Sequence, residues 1–183
     1  MPPKQRINRE IIMENAYKVL CRDGMENVNA RSVAREIGCS TQPIFSYYTG
    51  MGELKQALEE RANSSFEAVM HPAMEEKPLL PAVCGAYLDF AAEEPQLFRY
   101  LFVRMRAGEE TIAFSRDLSQ GLLEKVAAQY GLDEKKAKTL CATLSAYCHG
   151  LAVVLATGLF PLTLKEAGSR MKSLVDREVK VLQ

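Results

Sequence analysis

The sequence predicts an all-α fold. Apolar residues recur with the period of an α-helix along most of the chain, whereas alternating runs of β-branched and aromatic residues between turns are missing. The composition is that of a folded protein, because 48% of the 183 residues are hydrophobic and 25% are charged. A chain of this length is sufficient for one or two domains with a sizeable core.

The charges of the chain cancel, with 23 basic and 23 acidic residues. No overall electrostatic field therefore favours nucleic acid or an anionic membrane, and any such partner must bind to a local patch. Residues 1–55 carry a small excess of basic side chains, and the remainder carries a small excess of acidic ones. This asymmetry is consistent with a basic N-terminal module.

Cysteine usage and the N-terminal residues indicate the cytoplasm. The five cysteines are odd in number and form no C-x-x-C pair, which is typical of reduced thiols. No hydrophobic segment follows the basic N-terminal residues, so we expect no secretory signal. The uncharged stretch from Ala142 to Leu164 contains His149 and Pro161, and it predicts a buried helix followed by a loop rather than a membrane span.

Two helices are predicted before residue 40. The first begins near Asn8 and ends at Gly24, and the second lies between Asn29 and Gly38, because asparagine caps helix starts and glycine follows helix ends. Their inward-facing side chains are predicted to be Ile12, Ala16, Val19, Leu20, Val33, Ala34 and Ile37.

A third, short helix is predicted from Thr41 to Tyr48. Ser40 is its expected cap, and Pro43 lies in its first turn, where a missing N–H costs little. A longer fourth helix begins near Met51. Its apolar side is predicted to be Leu54, Ala57, Leu58, Ala62, Phe66 and Val69.

The remaining residues predict a loop and five more helical segments. Three prolines between His71 and Pro81 predict the loop. Helical patterns follow at residues 82–92, 96–106, 111–130, 134–159 and 164–181. Asp133 is the expected cap of the fourth of these segments, and Thr163 with Glu166 forms a capping box for the last.

The segment from Asn29 to Tyr48 has the pattern of a helix-turn-helix. A tight turn joins two short amphipathic helices and can hold the second one out from the body, where it can enter a DNA major groove. Its first turn, with Thr41, Gln42 and Pro43, would face base edges. The alternative is a purely structural helical hairpin with solvated polar side chains.

The wider segment from Arg9 to Ala57 resembles the N-terminal domain of TetR/AcrR-family transcriptional repressors without a gap. The matching residues are Ile12, Ala16, Leu20, Arg22, Asp23, Gly24, Arg31, Val33, Ala34, Ile37, Gly38, Cys39, Ser40, Ile44, Phe45, Tyr47, Tyr48, Glu53 and Leu54. The resemblance implies a helix-turn-helix DNA-binding domain over residues 1–52. It also implies an effector-binding and dimerisation domain over residues 53–183, with the helix 53–70 as connector.

The resemblance further implies which residues contact DNA. Thr41, Gln42 and Pro43 stand at base-contacting positions. The full implied set is Arg31, Ser40, Thr41, Gln42, Pro43, Phe45, Ser46, Tyr47 and Lys55, with phosphate contacts from Arg31, Ser40, Tyr47 and Lys55. Phe45 replaces a tyrosine of the family, and the turn Thr49–Gly52 lacks the usual lysines, so affinity and salt dependence are expected to be lower.

The C-terminal part is also similar to this family. Glu94–Phe102 resembles a segment that leads into a pocket-lining helix, and Ala146–Ala152 resembles the signature of a tryptophan-histidine-glycine-type subgroup. The implied pocket takes an apolar or aromatic effector and comprises Tyr87, Phe90, Phe98, Phe102, Met105, Phe114, Tyr147 and His149. The alternative is that these side chains only build the core.

The resemblance implies a homodimer that associates through residues 134–159 and 164–182. Small residues in the first segment permit close helix approach, and an apolar stripe on the second is wide enough to pack on a partner helix. Twofold symmetry would place two recognition helices about 34–36 Å apart on palindromic operator DNA. The alternative is an ordinary intramolecular core.

The sequence therefore predicts a cytoplasmic, ligand-responsive regulator, a repressor that a small effector releases through the fourth helix. We expect no enzyme, cofactor, metal site or membrane partner, because nucleotide-binding, nucleophile and metalloprotease motifs are missing. One alternative is a redox- or metal-sensing regulator that uses Cys84, Cys141 and Cys148. Another is a family member that has lost DNA binding and acts as an adaptor.

Overall fold

The computed structural model describes residues 7–103 and 116–182. Within these ranges the chain forms helices and no strand, which confirms the all-α prediction. The chain divides into two compact units, Met1–Ser64 and Ser65–Gln183. The division falls inside the helix Met51–Ala73, which also contains the boundary and the connector that the sequence predicts.

The first unit consists of short helices with side-chain caps. Its helices are α1 (Arg9–Asp23), α2 (Ala30–Ile37), α3 (Gln42–Tyr47) and the first part of α4 (Met51–Ala73). Asn8 caps α1 as predicted, because its side-chain oxygen accepts a hydrogen bond from the Ile11 N–H at 2.8 Å. Asn29 caps α2 by accepting from the N–H groups of Arg31 and Ser32, each at 3.0 Å.

The core of the first unit is formed by one face of each helix. The inward face of α1 is fully buried, as predicted. The buried side chains are Ile12, Ala16, Val19, Leu20, Met25, Val28, Val33, Ala34, Ile44, Tyr48, Leu54, Leu58 and Ala62. Ile37 was expected inside but is only half-buried, because α2 ends there.

The turn between α2 and α3 is built on a left-handed glycine. Gly38 has a φ of 78°, and its N–H and that of Cys39 both donate to the carbonyl of Ala34 at 2.9 Å. The third helix is shorter than predicted, and Thr41 rather than Ser40 is its cap residue. It ends at Tyr47, because Tyr48 has extended backbone and turns its ring into the core.

The second unit is a helical bundle in which α5 packs against both α8 and α9. Its helices are the end of α4, α5 (Leu79–Glu93), α6 (Pro95–Phe98), α7 (Arg116–Tyr130), α8 (Glu134–Thr157) and α9 (Leu164–Leu182). Asp133 caps α8 as predicted, because its carboxylate accepts from the Lys136 N–H at 2.8 Å. The predicted capping box of α9 is also present, with the Thr163 N–H donating to Glu166 at 2.8 Å.

The predicted loop from His71 to Pro81 is too long. Pro72 lies in the last turn of α4 and Pro81 in the first turn of α5, so only residues 74–78 connect these helices. A proline in a first turn lacks an N–H that would have no helical partner there anyway. Val69 was expected inside but is exposed, and Met70, four residues after Phe66, is buried instead.

The predicted helix at 96–106 is irregular. A wide π-type turn, Arg99–Val103, follows the short helix α6. The remainder of this segment, and the start of the predicted helix 111–130, lie outside the described residues.

Helix α8 is long and apolar enough to cross a membrane, with a mean hydropathy of 1.6 in its most apolar window. It contacts α5, α7 and α9, and its side chains Leu140, Leu144 and Ala152 are buried against them. Because the core helix of a folded domain has the same composition, α8 is weak evidence for a membrane span.

The left-handed turn makes a testable prediction. Gly38→Ala should reduce the free energy of unfolding of the first unit by about 1–2 kcal/mol, because a Cβ is disfavoured at positive φ. No neighbouring atom lies within 4 Å of the added Cβ, so the loss would come from the backbone alone. Urea unfolding followed by far-UV circular dichroism measures it.

The matched control is Gly52→Ala, which also adds a Cβ in open space. Gly52 lies in the first turn of α4, where alanine is expected to be neutral or stabilising. Equal effects of the two substitutions would contradict the role of backbone strain at Gly38.

Candidate DNA interface and ligand cavity

Helix α3 is attached to the first unit by one face and exposed on the other. Ile44 and Tyr48 are 1% and 2% exposed, and they fix the helix to the core. Gln42, Phe45 and Tyr47 lie on the outer face, and the side chains of Phe45 and Tyr47 are 52% and 41% exposed. The fold thus brings the predicted DNA-binding residues of the turn and α3 together on one surface, with Thr41 and Pro43 half-buried at its edge.

This surface is uncharged, and cations precede and follow it in the sequence. Residues 37–52 contain no Lys, Arg, Asp or Glu. Arg31 comes from the first turn of α2 and Lys55 from the first turns of α4. Among the described residues, neither of these two cationic groups has an ion-pair partner. Both remain available to phosphate oxygens, as their predicted role requires.

Arg9 connects the start of α1 to the end of α3 and the start of α4. Its guanidinium donates to the Tyr47 carbonyl at 3.2 Å and to the Glu53 carboxylate at 2.8 Å. It also lies 4.4 Å from the centre of the Tyr48 ring. This cluster fixes the C-terminal end of α3. It could not be predicted from the sequence, because Arg9 and Glu53 lie in distant parts of the chain.

Glu53 is ionised and well paired. Its carboxylate accepts from the Thr49 N–H at 2.8 Å and from the Thr49 hydroxyl at 3.0 Å. The backbone bond from Thr49, followed by the bond from Arg9, lowers the pKa of Glu53. The same carboxylate bonds to Thr49 in the turn between α3 and α4. Its charge therefore helps to position the exposed face of α3.

The hydroxyl of Tyr47 has a partner within the first unit. It donates to the carbonyl oxygen of Ile7 at 3.1 Å. A phosphate that accepts this proton must therefore replace the Ile7 carbonyl. Ser46 is exposed and donates its hydroxyl to the Gln42 carbonyl at 3.2 Å.

The second unit contains a cavity of about 580 Å³. Its described wall is formed by Met70, Leu80, Val83, Cys84, Tyr87, Phe102, Ser119, Leu122, Cys141, Leu144, Ser145, Cys148 and His149. Most of these groups are apolar, and hydroxyls, thiols and an imidazole supply the polar atoms. The volume and the lining are typical of a site for a small organic ligand.

Three of the predicted pocket residues line this cavity: Tyr87, Phe102 and His149. Phe90 and Phe98 are 4% and 0% exposed and belong to the packed core, not to the wall. Met105 and Phe114 lie outside the described residues.

Tyr147 lies on another face of α8. Its side chain is 40% exposed and does not line the cavity. Residues two positions apart on an α-helix point about 200° apart, so Tyr147 and His149 lie on nearly opposite sides of α8. This residue therefore contributes to the outside of the second unit.

A cluster of aromatic rings holds the cavity wall. The ring centroid of Phe66 lies 4.9 Å from that of Phe102 and 5.2 Å from that of Phe90. The ring centroid of Phe98 lies 5.1 Å from that of Phe102 and 5.5 Å from that of Tyr87. Edge-to-face and tilted contacts of this kind add to the burial of apolar area, so the wall is rigid on this side.

Tyr87 and His149 form a hydrogen-bonded pair at the cavity. The Tyr87 hydroxyl oxygen lies 3.0 Å from Nδ1 of His149. Burial raises the pKa of Tyr87, and burial lowers the pKa of His149. Both groups are therefore neutral at neutral pH. Sequence analysis selected each residue but missed the pair, because Tyr87 is on α5 and His149 on α8.

Three thiols line the same cavity: Cys84, Cys141 and Cys148. Burial raises the pKa of Cys141. The Cys148 thiol donates to the Cys84 carbonyl at 3.7 Å. Its interaction with the Cys84 side chain, followed by burial, raises the pKa of Cys148. Across the described ranges, no three His, Cys, Asp or Glu side chains are placed to hold a metal ion, so the metal-sensing alternative finds no support there.

Two comparisons place this chain among known sequences. Residues 80–179, more than half of the chain, match the family model described as tetracyclin repressor-like, C-terminal domain. The chain is also similar to an uncharacterised helix-turn-helix-type transcriptional regulator of Mycobacterium tuberculosis. The two are 24% identical over 162 residues, which cover 84% of this chain and 72% of that protein.

Solved structures share the fold over nearly the whole chain. A TetR-like regulator from Rhodococcus sp. RHA1 has a TM-score of 0.66 at 18% identity, covering 96% of this chain and 99% of its own. A TetR regulator from Streptomyces coelicolor has a TM-score of 0.64 at 18% identity, covering 97% and 100%. The multidrug binding protein EbrR, complexed with malachite green, has a TM-score of 0.55 at 19% identity, covering 91% and 97%.

The lowered pKa of Glu53 makes the first unit sensitive to acid. Ionised Glu53 stabilises the folded state above the ordinary pKa of a glutamate, and this stabilisation is lost as the pH falls through the lowered folded pKa. Glu53→Gln should therefore lower the melting temperature at neutral pH. The difference in melting temperature between the variant and wild type should become smaller as the pH falls. Thermal unfolding from about pH 7 to pH 3 measures this effect.

Glu60→Gln is the control, because it removes an exposed carboxylate from the same helix. Its melting curve against pH should run parallel to that of wild type. If Glu53→Gln also gives a parallel curve, the paired carboxylate does not contribute to pH-dependent stability.

Proposed function

The chain belongs to the TetR family of transcriptional regulators, and we propose that it represses transcription as a homodimer on palindromic operator DNA until a small apolar or aromatic effector enters its cavity. Members of this family are DNA-binding regulators and not enzymes. The observation that carries the proposal is the outer face of α3, which is exposed and uncharged and presents Gln42. Arg31 and Lys55 lie on the helices before and after it.

Gln42 is the residue suited to base recognition. Its amide can donate to and accept from the major-groove edge of adenine, while the neighbouring Thr41 and Pro43 offer apolar surface to a thymine methyl group. Arg31 and Lys55 would supply phosphate contacts that fix the register on the duplex. Since the recognition segment itself carries no charge, sequence-independent attraction would come mainly from its flanks.

A homodimer would use the outer surfaces of α8 and α9. Large apolar side chains are exposed on these helices and on the segment between them, namely Tyr147, Leu159, Phe160, Leu164 and Val181. Leu159 is 74% exposed and Val181 is 73% exposed. Burying these side chains against a second copy would remove their apolar surface from water and so stabilise the dimer.

The cavity supports a small-molecule effector. It combines about 580 Å³ of space with aromatic, aliphatic and thiol side chains. The structurally similar EbrR is a multidrug binding protein complexed with malachite green, which supports an organic ligand for the same fold. Helix α4 carries Lys55 near its start and Met70 in the cavity wall, and we propose that it transmits the effector signal.

Effector and DNA would oppose each other through one coupling free energy. An effector that weakens operator binding must itself bind less tightly to the DNA complex, by the same factor. We favour this non-covalent effector over redox control by Cys84, Cys141 and Cys148. Cys84 and Cys148 are buried, and burial raises the pKa of Cys141. A reactive thiol needs exposure and a positive neighbour, and no lysine or arginine is among the described wall residues. A DNA-binding regulator would act in the cytoplasm.

Two substitutions separate base recognition from backbone attraction. Gln42→Ala should weaken binding to the operator by about 1–3 kcal/mol and relax the base preference at one position, with little effect on random DNA. Lys55→Gln should weaken binding to operator and to random DNA by the same factor. It should also reduce the slope of log K against log salt by about one. Fluorescence anisotropy with an upstream DNA fragment measures both.

The control for charge is Lys18→Gln, which removes an exposed cation from α1 and should leave the salt slope unchanged. Equal losses on operator and random DNA after Gln42→Ala would exclude a base contact. A wild-type protein that does not bind DNA at low salt would instead favour the adaptor alternative.

The dimer surface has its own test. Sedimentation equilibrium of the wild type should give twice the 20.4 kDa mass of one chain. The double substitution Leu159→Asp and Phe160→Asp should shift the equilibrium toward the monomer, because it places charges in the proposed contact. Val69→Asp, at another exposed apolar side chain, is the matched control. A wild-type monomer at micromolar concentration would refute the homodimer.

A further inference from the structure

We infer that the effector of this cavity carries an uncharged hydrogen-bond acceptor, such as the carbonyl oxygen of an aromatic ketone, and binds it to Nε2 of His149. This inference rests on the proposed function and specifies the chemical class of ligand for the same cavity. It depends on the hydrogen bond between Tyr87 and His149, on the position of His149 in the wall, and on the neutrality of the surrounding side chains.

We assign the Tyr87 hydroxyl as the donor to Nδ1 of His149, and this assignment decides which ring nitrogen carries the proton. The buried Tyr87 hydroxyl keeps its proton, because burial raises its pKa, and it lies 3.0 Å from Nδ1. A neutral imidazole has one donor nitrogen and one acceptor nitrogen. When Nδ1 accepts the tyrosine proton, Nε2 carries the N–H. Because His149 belongs to the cavity wall, we assign this N–H as a donor to the cavity.

Nε2 has no protein partner in the described part of the chain. Among the described residues, the hydrogen bond of the His149 side chain is the one with Tyr87. The ring is held by its neighbours, with centroid separations of 5.9 Å to Phe98 and 6.3 Å to Tyr87. This donor is fixed in place, has no partner among the described residues and lies beside apolar surface. A ligand that accepts a hydrogen bond from it should therefore bind more tightly than one that leaves it unpaired.

The acceptor is expected to be neutral. No charged side chain is present among the wall residues that the structure describes, so a buried carboxylate or ammonium group would have no counter-ion there. Aromatic side chains such as Phe102 instead favour a flat apolar body. An aromatic carbonyl compound meets both requirements, because it combines such a body with one uncharged acceptor.

The test uses the fluorescent naphthyl ketone prodan and an analogue whose propionyl group is replaced by propyl. The two probes share the ring system and differ in the carbonyl acceptor. Fluorescence titration of the full-length protein gives Kd for each, and the emission of bound prodan reports the carbonyl bond, because hydrogen bonding shifts it to longer wavelength. His149→Met removes the donor, and His149→Gln keeps an N–H in a similar place.

For prodan, His149→Met should raise Kd about three- to tenfold, as expected for one hydrogen bond, and shift the bound emission to shorter wavelength. His149→Gln should restore much of both. Tyr87→Phe should give a smaller rise in Kd, because Nε2 then shares the proton with Nδ1. The propyl analogue should bind wild type and all three variants with similar Kd.

Equal losses for both probes in His149→Met would overturn the inference, since the histidine would then only shape the cavity. Equal affinity of wild type and variants for prodan would overturn it as well. In both cases the apolar cavity of the proposed function would stand. If neither probe binds to the wild-type protein, the effector site itself is refuted, and this inference fails with it.

Discussion

The proposed DNA surface depends on one constraint, which is the attachment of the six-residue helix α3 to the first unit. A helix as short as α3 is not stable alone, so tertiary contacts must hold it. Ile44 and Tyr48 supply those contacts from one face, Gly38 sets the angle of entry, and the Arg9 guanidinium holds the carbonyl at its end. Because anchoring uses one face only, residues on the opposite face can vary without loss of the fold.

The second unit follows a comparable logic. Aromatic packing of Phe66, Phe98 and Phe102 makes one side of the cavity rigid, while thiols and aliphatic side chains line much of the rest. Within this apolar wall the Tyr87–His149 pair supplies a directional group whose orientation is fixed before any ligand arrives. Fixed groups reduce the entropic cost of binding, so even a single polar contact can discriminate between ligands of similar shape.

Local features of the structure could be predicted from the sequence, and distant pairings could not. The caps at Asn8, Asn29 and Asp133, and the exposed Gln42, follow from rules that act over a few residues. The prolines at 72 and 81 were misjudged because their tolerance depends on where each helix happens to start or end. The contacts Arg9–Glu53 and Tyr87–His149 join separate helices, and only the tertiary fold brings them together.

The neutrality of residues 37–52 bears on how such a protein would find its target in a cell. Non-specific DNA competes for a regulator, and it competes more strongly the more tightly the regulator binds the sugar–phosphate backbone. A chromosome offers millions of such non-specific sites. A recognition segment without cations would form only short-lived complexes with these non-specific sites. More copies of the protein would then stay in free solution, so a modest cellular supply would suffice to occupy a scarce operator.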